Sequence, residues 1–282
     1  MNFHLVIFVG SHWHFARPCL DTWIEEYSRH PGGRLTIIDG APDHYAREKI
    51  EAAAKPVSAQ VVRADHALGS VRSINRVLAE QDDRVTTVVV GGYALAGDGA
   101  LGRLLASAAS GALTCPLSWR QSPGEPVLPG GLDWRRFDAW LSANAAKISG
   151  PVRCSVVVLR PGLTTEVGLF DECLYAFDAA VMDMAVRVSA RGESIQLAAD
   201  VYVHEPHKTP VQSSPNTTVT SDRDVLERRI QAAGDDLRES ARVAGRQLQV
   251  LLESRPDHRL RPDAPGRRFF LFILPTLNPV SY

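Results

Sequence analysis

Apolar runs alternate with stretches of helical spacing across residues 4–90, and no other feature of the chain constrains its fold as much. The runs His4–Val9, Arg34–Ile38, Gln60–Arg63 and Val85–Val90 read as short strands. Between them, Leu20, Trp23, Ile24 and Tyr27 share one helical face. Tyr45–Ala54 reads as a second helix, and Val71, Ile74, Val77 and Leu78 mark a third. Continuous apolar strands separated by helices predict a mostly parallel sheet covered by helices on both faces, an α/β fold. Further on, Cys154–Leu159 and Ser194–Val203 predict two more strands, and Asp178–Arg191 a helix ended by Gly192. Asp98 is expected to cap a helix over Gly99–Ser107. Ser118–Asp133, rich in proline and glycine, is expected to be a loop.

The chain changes character after Thr209. Pro210–Thr220 is polar and reads as a linker, and Ser221–Glu253 has the composition of one long charged helix. The expected organisation is therefore a domain over residues 1–209 and, over 210–282, a linker, a helical extension and a tail. Arg267 and Arg268 precede the apolar run Phe269–Leu274, and this region is expected to dock within a homodimer. No stretch approaches the roughly twenty apolar residues of a membrane span, and none reads as a signal peptide. The formal net charge of −1 argues against nucleic-acid partners, which call for a basic field. Cys19, Cys115, Cys154 and Cys173 are widely spaced and form no CxxC pair, so a reduced, cytoplasmic setting without structural zinc is expected.

In open α/β sheets, ligands bind beyond the carboxyl ends of the strands. Gly10, Asp39 and Gly91 sit at such ends. Backbone N–H groups of the Gly10-Ser11 turn suit a phosphate, and the Asp39 carboxylate suits the imide N–H of uracil or thymine. Plainer readings stand beside these. Asp39 and Asp43 also fit a turn with a helix cap, and Asp183 and Arg187, four apart, also fit a surface ion pair. His12 and His14 have no further metal ligands to join them. The absence of G-x-G-x-x-G after the first strand argues against a dinucleotide dehydrogenase.

Over residues 4–208 the order of these strand-end motifs resembles the family-2 glycosyltransferases. The matching segments are Val9-Gly10-Ser11-His12, Ile38-Asp39-Gly40-Ala41-Pro42-Asp43, and the run His66–Asn75 with Gly69, Arg72 and Asn75. Val167-Gly168-Leu169-Phe170-Asp171-Glu172 is the closest local match. Asp183, Arg187 and Gly192 follow, and then Tyr202-Val203-His204. The resemblance implies a GT-A nucleotide-sugar-binding fold and transfer of a sugar from a UDP- or TDP-sugar to a small-molecule or glycan acceptor, with inversion. It implies nucleotide-sugar contacts at Gly10, Ser11, Asp39, Arg72, Gly91, Gly92, His204 and Lys208. The family's metal-binding Asp-x-Asp is missing, because Gly91-Gly92-Tyr93 stands in its place. No metal ligands and no cofactor are therefore expected, and Arg72, His204, His207 and Lys208 are candidates to balance the diphosphate. The family's acidic pair falls near Ala180-Val181, which leaves Asp183, with Asp178 in reserve, as the candidate base. The alternative is a catalytically silent relative that binds or scaffolds.

Overall fold

The computed structural model describes residues 2–10, 12–41, 43–64, 69–91, 93–120, 155–174 and 176–205. Its strands are β1 (Phe3–Val9), β2 (Arg34–Asp39), β3 (Gln60–Arg63), β4 (Thr86–Val90), β5 (Leu95–Ala96), β6 (Leu113–Arg120), β7 (Val156–Leu159) and β8 (Ile195–Glu205). The helices are α1 (Trp13–Ser28), α2 (His44–Ala54), α3 (Gly69–Ala79), α4 (Ala100–Ser107), α5 (Leu163–Val167) and α6 (Phe177–Ala190). All eight strands join one sheet in the order β3-β2-β1-β4-β7-β6-β8-β5. The first four run parallel. β7 is antiparallel to both β4 and β6, and β8 is parallel to β6 with β5 antiparallel on its edge. Following these directions across the sheet, the carboxyl ends of β1, β2, β3, β4, β6 and β8 all lie along one edge.

β1 shows why the sheet is covered on both sides. Every one of its residues is buried, and because side chains alternate along a strand they serve opposite layers. Leu5, Ile7 and Val9 pack with Leu20 and Trp23 of α1, Ile50 of α2 and Leu104 of α4. Val6 and Phe8 pack with Ile74 and Leu78 of α3, Leu163 of α5 and Val181 of α6. The apolar stripe read at Leu20, Trp23 and their neighbours is anchored further by Trp23, whose indole N–H donates to the Ala94 carbonyl at 2.8 Å.

Two readings are corrected. Ser118, Trp119 and Arg120 belong to β6 rather than to a loop, because they pair with Val203, His204 and Glu205 of β8. Asp98 does not cap α4. The N-cap is Gly99, at φ +70°, and the Gly99 and Leu101 N–H groups donate to Glu26 at 2.9 and 3.0 Å. Glu26 is 3% exposed and reaches in from α1, so the cap is tertiary and no local sequence signal marks it. Asp98 pairs instead with Arg29. Three elements were not anticipated: β6, and also β5, two residues long, and α5, five residues long, the last two too short to carry a periodic signal. The expected linker, helical extension and tail lie outside the described residues. Among the described residues no helix is long and apolar enough to cross a membrane.

Candidate functional site

Gly10, Asp39, Gly91 and His204 stand along the shared carboxyl edge of the sheet. In register, Val9 lies beside Asp39 and Ile7 beside Val90, while His204 pairs with Leu95 of β5. His204 is 4% exposed. A groove of about 630 Å³ runs along α1 from Trp13 and His14 to Glu25, bounded by Tyr45 of α2, and is not lined by Gly10, Asp39, Gly91 or His204.

Asp39 is buried at the end of β2. One carboxylate oxygen accepts from the Ala41 N–H at 2.8 Å and the other from Arg63 Nη1 at 2.6 Å. Arg63 is its register partner on β3 and also donates to the Ala41 carbonyl at 3.3 Å. Parallel pairing thus places the cation beside the acid and fixes the turn after β2. Asp43 fills the plainer of its two roles, accepting from the Ala46 N–H at 2.8 Å as the N-cap of α2. Arg63 went unremarked in the sequence, since only knowledge of the β2–β3 register would pair it with Asp39.

The two glycines of the edge are closely packed. A Cβ on Gly10 would lie 2.5 Å from the Tyr93 hydroxyl, which also accepts from the His12 N–H at 3.4 Å. A Cβ on Gly91 would fall inside the ring of Phe177, the first residue of α6. The Gly91 N–H donates to the Ser155 carbonyl at 2.9 Å. The space beside Gly91 is therefore occupied by an aromatic ring. Phe177 in turn meets Phe170 edge to face, with centroids 5.3 Å apart.

Residues 167–172 are held from both sides. Buried Asn75 of α3 donates to the Phe170 carbonyl at 2.7 Å and accepts from the Phe170 N–H at 3.1 Å. Its amide also reaches Glu172 at 3.2 Å, and Arg72 Nε donates to the other Glu172 oxygen at 2.7 Å. The Arg72 hydrogen bond, followed by that of Asn75, holds the Glu172 carboxyl below its ordinary range. From α6, Arg187 donates to the Val167 carbonyl at 2.6 Å and the Leu169 carbonyl at 2.9 Å, and its Nε donates to Asp183 at 2.9 Å. The ion pair read from the spacing of Asp183 and Arg187 is thus present, and it braces this segment.

α6 starts at the site edge, where Phe177 covers Gly91, and ends near the amino end of β8. Asp178 lies in its first turn, half-buried, and accepts from the Ala179 N–H at 3.0 Å. Asp183 lies five residues further from the edge, about 7.5 Å along the helix axis. Ser11, Gly92, His207 and Lys208 lie outside the described residues. Among the described residues no three His, Cys, Asp or Glu side chains gather as a metal-binding group.

No protein-family model and no curated protein matches the chain at the level of sequence. Solved structures do match it at the level of fold. Residues 1–349 of S. aureus TarS, in complex with UDP-GlcNAc, share 11% identity at a TM-score of 0.56, covering 98% of this chain and 80% of that one. A mannosyltransferase from Pyrobaculum calidifontis with GDP-Man and Mn2+ shares 14% at 0.53, covering 98% and 72%. The chain has the fold of the GT-A glycosyltransferases. GalNAc-T7, solved with UDP, GalNAc and Mn2+, shares 13% at 0.57, covering 97% of this chain and 56% of its own. Against this GT-A background, the segment after β4 is where the chain parts from the acidic motif that its family resemblance implies.

Proposed function

We propose that this protein is an inverting glycosyltransferase, moving a sugar from a nucleotide-sugar donor such as a UDP- or TDP-sugar to a hydroxyl of a small-molecule or glycan acceptor. The observation that supports this best is the assembly of Gly10, Asp39, Gly91 and His204, far apart in sequence, on one sheet edge of a GT-A fold. In this reading Asp39 holds the base. Each of its oxygens keeps a second lone pair beyond the Ala41 and Arg63 contacts, so an imide N–H can still be accepted. The acceptor hydroxyl gives its proton to a carboxylate as its oxygen bonds to the anomeric carbon, and the bond to the diphosphate breaks on the opposite face. Asp178, at the site edge, suits this base better than Asp183, which is engaged with Arg187.

The divalent cation that the GT-A fold implies does not fit the residues after β4. Magnesium and manganese seek oxygen ligands, above all carboxylates. Gly91 and Tyr93 supply none, and Phe177 fills the space a side chain at 91 would need. The diphosphate is instead balanced by protein donors, with the Arg72 and Lys208 cations and the His204 imidazole as the candidates.

Calorimetry with UDP, TDP and their sugars, in excess EDTA and then in manganese, tests the reading. Binding that persists in EDTA is expected, followed by turnover with a hydroxyl acceptor. Binding only with manganese would reject the cation-free site. Binding without turnover on any acceptor would leave a nucleotide-sugar-binding protein that has lost its chemistry.

A further inference from the structure

In the first turn of α3, Arg72 is held by Glu172. α3 spans Gly69–Ala79, so its leading N–H groups have no partner within the helix. Ser70, in that turn, is 1% exposed, and among the described residues its hydroxyl has no hydrogen-bond partner. Arg72 follows, with half of its side chain exposed, and its ion pair to Glu172 uses Nε. Glu172 is the better anchored of the two. The segment before it is fixed at Phe170 by both ends of the buried Asn75 amide, which also contacts the Glu172 carboxylate.

Resting on the donor-binding reading above, we propose that Glu172 is an internal counter-ion that occupies Arg72 in the empty protein, and that the donor's diphosphate displaces it by taking over the Arg72 guanidinium beside the first turn of α3. The physical basis is the strength of the contact to be broken. A half-exposed ion pair contributes little net stability, whereas a guanidinium on a diphosphate forms paired charge-assisted hydrogen bonds. The leading N–H groups of α3, which have no partner within the helix, favour an anion at this end. Glu172 therefore lowers the affinity for every diphosphate ligand and leaves the affinity for an uncharged nucleoside unchanged.

Titration calorimetry of the full chain at low salt, with UDP, uridine and inorganic pyrophosphate, tests this on the parent, Glu172→Gln, Arg72→Ala and the double variant. Glu172→Gln keeps the shape of the side chain and removes its charge. It is expected to tighten UDP and pyrophosphate about two- to fivefold, the size of an exposed ion pair, and to leave uridine unchanged. Arg72→Ala is expected to weaken UDP, and Glu172→Gln to have no further effect in that background. Unchanged or weaker UDP binding by Glu172→Gln would overturn the exchange, as would equal tightening of uridine or tightening that persists without Arg72. If UDP fails to bind but pyrophosphate binds and tightens in Glu172→Gln, the exchange stands and the donor reading falls. If neither ligand binds the parent or Glu172→Gln, both fall.

Discussion

The ring of Phe177 occupies the position a side chain at Gly91 would take, with its Cε1 only 2.5 Å from where a Cβ would sit. One residue type thus explains the other. The glycine after β4 makes room for an aromatic ring that closes the sheet edge and links, through Phe170, to Asn75 of α3. Restoring a carboxylate at this position would be a packing error before it was a metal ligand. Gly91→Ala is expected to lower stability by about 1–3 kcal/mol in urea denaturation, as overpacked cores do. In a Phe177→Ala background the same change should cost much less, because the clash is gone. Equal costs in both backgrounds would refute the packing relationship.

Asp39 has structural work to do whether or not it reads a base. Asp39→Asn keeps a side-chain oxygen for the Ala41 N–H and loses the charge that faces Arg63. Loss of a charge-assisted hydrogen bond corresponds to about 1.5–3 kcal/mol. Arg63→Ala removes the same ion pair from the other side. If Asp39 also accepts a base N–H, Asp39→Asn should weaken UDP or TDP binding by a similar energy, while Arg63→Ala leaves it within about twofold. Parallel losses in the two variants would assign Asp39 to the turn alone.

Much of the fold was legible because its strands are buried on both faces and its helices carry unmistakable stripes. Gln60–Arg63 is β3 residue for residue, and Val71, Ile74, Val77 and Leu78 are the buried face of α3. What could not be read was tertiary in origin. Glu26 caps α4 from another helix, Arg63 finds Asp39 through strand register, and Phe177 fills Gly91 from nearly ninety positions away. The end of β6 was hidden because prolines and glycines after Ser118 gave a loop signal to Ser118, Trp119 and Arg120, which β8 stabilises by pairing. The strand-end residues of the candidate site were legible because the end of a parallel strand is a position the sequence marks. Their partners were not, because contacts across a sheet leave no local pattern.

The two acids of α6 should separate by function. Asp178 lies at the site edge, and Asp178→Asn is expected to cut turnover about 10²- to 10⁴-fold with nucleotide binding nearly unchanged, the size of a lost general base. Asp183→Asn removes the partner of an arginine that holds the carbonyls of Val167 and Leu169. It is expected to lower stability by about 1–3 kcal/mol, with a smaller effect on turnover. A steep loss of turnover in a fully stable Asp183→Asn would reverse the assignment.

His4 gives the protein an acid-sensitive point away from the site. Its ring is 2% exposed in β1, with Nε2 at 2.8 Å from the Thr36 hydroxyl and Nδ1 at 3.1 Å from the Gln81 side-chain oxygen. Gln81 offers only an acceptor there, so Nδ1 carries the proton and Nε2 accepts from Thr36, a tautomer assigned from its partners. Burial is the main cause that lowers its pKa from 6.5 to about 4. Above pH 6.5 the imidazole is neutral both folded and unfolded, and pH has no effect through it. Between pH 6.5 and about 4 the unfolded chain takes up a proton that the folded chain refuses, so stability falls as pH falls. The slope is about 1.4 kcal/mol per pH unit, which gives a loss of about 2 kcal/mol by pH 5 and no further loss from this group below its folded pKa. Urea unfolding at pH 7 and pH 5 measures it. His4→Gln is expected to be less stable at pH 7 but to lose about 2 kcal/mol less than the parent on acidification. An identical pH dependence in the two proteins would show that His4 is not the group responsible.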